Sequence, residues 1–167
     1  MSYGLIYTIP FATLDNTPCV VEIEKDGYTG ASTELTAGAT PFTIDIDSEE
    51  FLYTPTRFST AKLQIVGSDY LQTLFSTEYR QYRVTLKKDG VITWCGFVKP
   101  ELYTQDYTSE TFILEIECMS AMSVLEFIDY TTEGETKNFV SIWHLLQRCI
   151  SSSAGQYNSV LIPHVYA

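Results

Sequence analysis

The side chains that could perform chemistry in this sequence are few and widely separated. His144 and His164 are the only histidines, and neither stands in a motif typical of general base catalysis. The sequence contains no Gly-x-Ser-x-Gly nucleophile motif and no glycine-rich phosphate loop. We therefore predict that the protein is not an enzyme, that it carries no cofactor and that it has no small-molecule ligand.

The spacing of potential metal ligands is also unfavourable. Cys19, Cys95, Cys118 and Cys149 form no Cys-x-x-Cys pair and have no partnering histidine cluster of the kind that zinc sites use. Each lies in a segment with an apolar pattern, so we expect four reduced thiols in the core. The acidic run at 45–50 lacks the glycine and the final Glu of a calcium-binding loop and is typical of a solvated strand end. We predict no metal site.

The aromatic residues could bind a ligand, although they do not indicate catalysis. The chain has twelve Tyr, nine Phe and two Trp, and Trp94, Tyr103 and Tyr107 could form a platform on which sugar rings stack. Trp94, however, shares a strand face with Ile92 in a predicted central hairpin, which indicates a core residue. Tyrosine is also enriched at subunit contacts. A carbohydrate-binding β module is therefore the alternative to a protein-assembly role.

Composition and charge narrow the classes of partner. With 167 residues and 45% apolar content, the chain can form one domain with its own core. Ten Lys and Arg against twenty-one Asp and Glu give a net charge of −11, a sign that repels phosphate backbones and anionic lipids. No apolar run approaches the roughly 18 residues of a membrane span, and no basic residue precedes Lys25 as a signal peptide would need. We expect no specific nucleic-acid binding, no membrane association and no secretion.

Apolar residues at every second position are the main structural signal. They alternate with polar residues in the segments 19–23, 42–46, 61–65, 82–86 and 112–118. Such a pattern predicts strands with one buried face and one solvated face. The fold class that we predict is mainly β, an antiparallel partly open barrel or packed sheets, with two short helical turns and one C-terminal α-helix.

Turn residues indicate how the strands are connected. Lys88-Asp89-Gly90 predicts a tight hairpin between 82–86 and 91–98, because Asp-Gly supplies the positive φ angles that such turns need. Asp15-Asn16 predicts a turn between the first two strands, and Asp26-Gly27 predicts the end of the second strand. The Thr-, Gly- and Ala-rich residues 28–41 are predicted to form a loop.

Helical periodicity occurs in three places. Short helical turns are predicted after Ser68 and after Ser120, each at the end of a strand. From 138 to about 151 the apolar period is 3.6 residues, which predicts the C-terminal helix. One face of that helix is our candidate assembly interface, formed by Phe139, Trp143, Leu146 and Ile150. Because Ile142, Leu145 and Cys149 widen this face, we expect the helix to be covered on more than one side, by its own sheet and by a neighbouring domain or subunit.

The change of period also suggests how the chain is organised. We predict an antiparallel β domain at residues 1–135 and a helix plus terminal strand at residues 136–167. The second part either packs on the first or leads into a further domain of a longer protein.

The stretch 61–130 resembles a known group of assembly proteins. A strand and a short helix at 61–75 precede a hairpin that contains Ile92-Thr-Trp-Cys-Gly-Phe-Val-Lys-Pro, and a third strand runs into a helix as Phe112-Ile-Leu-Glu-Ile-Glu-Cys-Met-Ser-Ala-Met-Ser-Val-Leu. This order is similar to the barrel modules of phage tail proteins of the baseplate hub and distal tail type, whose hairpin carries x-Trp/Phe-x-Gly-x-Val/Ile. The run from Asp89-Gly90 to Pro100-Glu101 resembles prophage tail proteins encoded in gut bacteria. The Asp often seen in the strand-to-helix segment is absent here.

The resemblance implies a virion structural protein and supplies no catalytic residue. It implies an oligomer whose partners are other tail proteins and copies of itself. It also implies a location in the virion, and in the host cytoplasm during assembly.

Overall fold

The computed structural model describes residues 2–46, 58–67, 71, 74, 76–100, 112–129 and 141–157. In these ranges the chain is mainly β, with eight strands, a 3₁₀ helix at Ala121–Phe127 and an α-helix, α1, at Ile142–Ser152. The strands are β1 Tyr3–Ala12, β2 Pro18–Asp26, β3 Thr33–Glu34, β4 Thr36–Ile46, β5 Ser59–Gly67, β6 Tyr82–Lys88, β7 Val91–Val98 and β8 Phe112–Ser120. Neither helix has the length and apolar character needed to cross a membrane.

The eight strands form one mixed sheet with the order β3-β1-β2-β6-β7-β8-β5-β4. Neighbouring strands are antiparallel except β1 and β3, which are parallel. The sheet is not closed by hydrogen bonds. Its two outermost strands nevertheless follow each other in the sequence, with only Leu35 between them, and the Leu35 N–H donates to the Thr8 carbonyl at 2.8 Å. The continuous segment 33–46 therefore supplies both edge strands of the sheet.

The turns lie where the sequence predicts them. Asp89 and Gly90 have φ angles of 50° and 77° between β6 and β7, which confirms the hairpin. Asn16 has a φ of 57° in the turn between β1 and β2, and Gly27 has a φ of 72° directly after β2. Asn, Asp and Gly tolerate this left-handed region better than other residues.

The loop prediction for residues 28–41 is wrong, because β3 and the first half of β4 lie within that range. The register of β4 on β5 shifts between Ala37 and Phe42, so the strand accommodates Gly38 and Pro41 at an irregularity on the outermost strand of the sheet. The Gln64 side-chain oxygen accepts a hydrogen bond from the Thr40 backbone N–H at 3.0 Å at the same place. Threonine-rich sequence is compatible with a strand as well as with a loop, and pairing with β5 decides between them.

Alternation correctly predicts the buried faces of four strands. Their fully buried residues include Val21, Ile23, Leu63, Val84 and Ile116, which belong to one core cluster on the inner face of the sheet. On β4 the same pattern overstates burial, since Ile44 and Ile46 are 37% and 57% exposed. This strand pairs with β5 alone, so it has fewer neighbours to cover it.

A second, smaller core lies on the outer face of the sheet. Phe97, Met119, Ala121 and Val124 are its buried members, and the 3₁₀ helix supplies the last two. This helix confirms the predicted helical turn after Ser120. The turn predicted after Ser68 falls mostly outside the described residues, as do residues 138–140 of the predicted C-terminal helix and the whole predicted terminal strand.

Candidate functional site

The Trp-Cys-Gly-Phe-Val sequence of β7 has a packing explanation. A Cβ atom at Gly96 would overlap the Trp94 ring and the Met119 carbonyl oxygen. Residues 94 and 96 lie on the same face of the strand, and the indole is packed along the backbone of Gly96. A glycine two residues after the tryptophan is therefore required for this ring position.

Trp94 itself is part of the inner core. Its side chain is 8% exposed, its indole N–H donates to Ser59 Oγ at 3.0 Å, and its ring meets the Phe42 ring edge-on with centroids 5.4 Å apart. A ring held in this way cannot stack on a sugar from solvent. Tyr103 and Tyr107, the other members of the predicted sugar platform, lie outside the described residues.

The candidate interface on α1 is exposed over the first two turns. Ile142, Trp143 and Leu146 are 78%, 56% and 38% exposed, and α1 buries none of its residues completely. Ile150 is half-buried near the end of the helix, and Phe139 lies outside the described residues. The first two turns of the helix thus carry apolar side chains that the described part of the chain leaves accessible.

Local sequence explains where α1 begins and ends. Ser141 Oγ accepts the His144 backbone N–H at 3.2 Å, which satisfies one of the donors that the first turn leaves without an intrahelical partner. At the other end Ala154 adopts a left-handed φ of 52° and turns the chain back toward the sheet. His144 is exposed, and His164 lies outside the described residues.

Two arginines hold the carboxyl end of α1 against the sheet. Arg80 Nη1 donates to the Ser152 carbonyl at 3.0 Å, and Arg83 Nη1 donates to the Ala154 carbonyl at 3.2 Å. Cationic donors at this end satisfy carbonyls that the helix leaves unpaired and complement its dipole. Ser153, between the two carbonyls, is completely buried. The residues after the helix are thus fixed on the sheet, while its first turns extend into solvent.

Arg83 is also the centre of a partly buried ion pair. Its Nε lies 2.7 Å from Glu24 Oε2, and the two side chains are only 12% and 13% exposed. The guanidinium stacks 4.2 Å from the Tyr3 ring centroid. The Tyr3 hydroxyl donates to the Arg80 carbonyl at 2.7 Å, and burial is the main cause that raises the pKa of this phenol. We call Tyr3, Glu24, Arg80 and Arg83 the anchor cluster.

Sequence reasoning missed the anchor cluster. Glu24 and Arg83 are directly opposite each other on β2 and β6, two strands that pair although nearly sixty residues separate them. The available signal was the pair of outward-facing charges of opposite sign on two alternating strands. The order of the strands in the sheet was needed to bring them together.

Burial disfavours the reactive thiolate at two of the cysteines in the sheet, Cys95 and Cys118. All four cysteines are free, Cys19 and Cys118 are buried, and burial raises the pKa of Cys118 to about 12. Cys95 accepts the Gln156 backbone N–H, and burial raises its pKa as well. The prediction of four core thiols is confirmed for Cys19 and Cys118 only: Cys95 is half-buried against the smaller core, and Cys149 is half-buried on α1, a helix that contributes no fully buried residue.

No group of three or more His, Cys, Asp or Glu residues that could hold a metal occurs among the residues that the structure describes. Of the acidic run at 45–50, Asp45 lies exposed in β4 and the residues after 46 fall outside the described ranges. The residues that the structure describes line an open cleft of about 390 Å³ beside Asp26 and Arg80, and another of about 330 Å³ beside Trp94 and Tyr157. The first cleft is lined by the carboxylates of Asp26 and Glu78 together with Arg80, and the described lining of neither cleft includes a histidine.

Comparison with known proteins identifies no relative: no family profile, no curated protein and no solved structure matches this chain. Function is therefore inferred from geometry and from the sequence resemblance alone.

Proposed function

We propose that this protein is a non-catalytic structural component of a phage or prophage tail, a baseplate hub or distal tail module that joins other tail proteins and copies of itself. The observation that carries the proposal is the exposed apolar face of α1, on a helix whose carboxyl end the anchor cluster fixes to the sheet. An apolar face held rigidly in solvent is a contact surface that needs little reordering when a partner covers it.

The architecture supports the same proposal. Phe42 on β4 reaches Trp94 on β7 across the core, although two strands lie between them in the sheet. Together with the single residue that separates β3 from β4, this contact favours a sheet that curls into the partly open barrel of the tail modules. The motif residues Trp94 and Gly96 are required for packing, as expected of a resemblance that concerns structure and not chemistry.

The proposal places the protein in the virion, and in the host cytoplasm while tails assemble. It requires no cofactor, metal or small molecule. A helix and terminal segment at 136–167 would connect the β domain to its neighbours in the tail.

Purified particles provide the test. Tails are isolated on a density gradient after induction of the strain that carries the gene, and their proteins are identified by mass spectrometry. We expect peptides of this chain in the tail fraction at a constant ratio to the tube protein, and tape-measure and tube genes beside its gene. Intact tails that lack the chain while the cytoplasm contains it would contradict the proposal.

A further inference from the structure

The cleft beside Asp26 and Arg80 contains polar groups that the fold itself uses only in part. The described residues that line its volume of about 390 Å³ are Asp26, Thr77, Glu78, Tyr79, Arg80 and Gln81. Asp26 Oδ1 accepts the Ser2 backbone N–H at 3.2 Å, and Arg80 donates from Nη1 to the Ser152 carbonyl. Among the described residues, no partner binds the Glu78 carboxylate or the Arg80 atoms Nε and Nη2. The cleft thus offers both hydrogen-bond acceptors and donors to a ligand.

An aromatic pair lies at the same cleft. The Tyr79 and Phe127 rings are stacked, with centroids 4.2 Å apart and planes 13° from parallel. Phe127 covers one face of the Tyr79 ring, yet Tyr79 remains 41% exposed, so its second face is accessible. Phe127 ends the 3₁₀ helix, whose Val124 is buried in the smaller core. The stack therefore holds a flat apolar surface beside the polar groups of the cleft.

The backbone of the cleft is fixed by the sheet. The Asp26 N–H donates to the Gln81 carbonyl at 3.0 Å, which ties the residues before β6 to the end of β2. The Tyr3 hydroxyl of the anchor cluster donates to the Arg80 carbonyl at 2.7 Å. A site that is formed before a ligand arrives loses little conformational freedom on binding.

The mixture of polar groups limits the class of ligand. The carboxylates of Asp26 and Glu78 repel an anion. A cation has no acceptor for the remaining N–H groups of Arg80, and an apolar ligand would leave all of these groups without partners. A hydroxyl both donates and accepts, so a molecule with several hydroxyls can satisfy both kinds of group. A sugar ring adds a face of C–H groups, which an aromatic face such as that of Tyr79 attracts.

We propose that this cleft binds a neutral hexose unit of a glycan. The sugar ring stacks on Tyr79, while its hydroxyls donate to the carboxylates of Asp26 and Glu78 and accept from Arg80. The volume lies near the lower end of the roughly 300–1,000 Å³ typical of small-molecule sites, so it accommodates one or two sugar units. This platform is distinct from the sequence-predicted one around Trp94, whose ring is buried, and the inference does not depend on the tail role.

The experiment is an NMR titration of the full-length chain, in which proton–nitrogen correlation spectra report on the backbone amides of residues 77–81. The probes are the neutral disaccharides maltose, cellobiose, lactose and diacetylchitobiose, with glucuronate as an anionic probe and lysine methyl ester as a cationic one. Each is added to about 50 mM, which detects dissociation constants as weak as millimolar. We expect at least one neutral disaccharide to shift these amides saturably, and neither charged probe to do so.

Variants of the stacking ring and of one carboxylate test the assigned contacts. Tyr79→Ala removes the ring and should weaken sugar binding about tenfold, whereas Tyr79→Phe keeps the ring and should bind like the wild-type chain. Glu78→Gln removes an exposed charge without changing the shape of the side chain, and should weaken binding about threefold. Phe58→Ala is the matched control, because Phe58 is 49% exposed and is not part of the described lining. Circular dichroism verifies that each variant is folded.

The proposal is overturned if no neutral disaccharide shifts the amides of 77–81, if a charged probe binds more tightly than every disaccharide, if Tyr79→Ala binds as tightly as the wild-type chain, or if Phe58→Ala weakens binding as much as Tyr79→Ala. If Tyr79→Ala does not fold, unchanged binding by Glu78→Gln overturns it instead. A chain found in tails without sugar affinity would overturn this inference alone, and a sugar-binding chain absent from tails would overturn the proposed function alone.

Discussion

The β6–β7 hairpin and α1 use their apolar residues in opposite ways. In the hairpin Val84, Trp94 and Phe97 are all buried, two of them on the inner face of the sheet and Phe97 on the outer face. On α1 no residue is fully buried, and Trp143 is 56% exposed. The hairpin stabilises the fold with both of its faces, whereas α1 depends on the anchor cluster for its position. Hydrophobic content alone therefore does not distinguish a core element from a contact surface.

Gly96→Ala should have the largest effect on stability, because it adds a side-chain atom where the hairpin has no room for one. The added Cβ would overlap the Trp94 ring and the Met119 backbone, which cannot move without breaking the pairing of β7 with β8. We expect a loss of about 3 kcal/mol or more in the free energy of unfolding by urea. Gly90→Ala is the control: its Cβ meets nothing within 4 Å, so only its φ of 77° costs stability, about 1 kcal/mol. Equal losses in the two variants would show that Gly96 is not sterically required.

Arg83→Met tests the connection between the two regions. It leaves the Glu24 carboxylate largely buried without its cation and removes the donor to the Ala154 carbonyl. We expect a loss of about 2–3 kcal/mol by urea unfolding, together with faster amide hydrogen exchange in α1 than in β2. Lys62→Met, which removes two solvent-exposed ion pairs, with Glu115 and Glu117, should leave both measurements unchanged. Exchange in α1 that matches the wild-type rate would mean that the anchor cluster does not hold the helix.

Thiol labelling compares burial in the sheet, at a cysteine of β8, with burial on α1. Cys118 is completely buried in β8 and its pKa is raised to about 12, so it should react with a disulfide reagent only when the chain unfolds. Because the folded state favours the protonated thiol, its contribution to stability is complete below pH 9 and is lost as the pH rises toward 12. Cys149 on α1 should react in the folded protein, and Cys149→Ser identifies that signal. Rapid labelling of Cys118 in native buffer would contradict the assigned core.

Local patterns were sufficient for much of the sheet. Alternation located the buried faces of β2, β5, β6 and β8, and the Asp89-Gly90 dipeptide located the hairpin, since both signals depend on neighbours in the sequence. Residues 28–41 were misassigned because Thr- and Gly-rich sequence forms strands or loops according to its pairing partner. The anchor cluster was missed for a similar reason: Glu24 and Arg83 meet only when β2 pairs with β6.

The sequence alone located the candidate interface as an apolar helix face, but it did not show whether that face is exposed. A 3.6-residue period marks the apolar face of α1, but it does not tell whether that face is covered. Burial and the position of Arg83 supply that information, because they show which end of the helix the sheet holds and which end it leaves in solvent.

Trp143→Asp has the smallest expected effect on stability and tests the central claim most directly. If α1 presents its apolar face to a partner and not to its own core, the urea unfolding free energy of this variant should differ from that of the wild-type chain by less than about 0.5 kcal/mol. A loss of 2 kcal/mol or more, typical of a truncated core residue, would show that Trp143 packs within its own chain and would contradict the account.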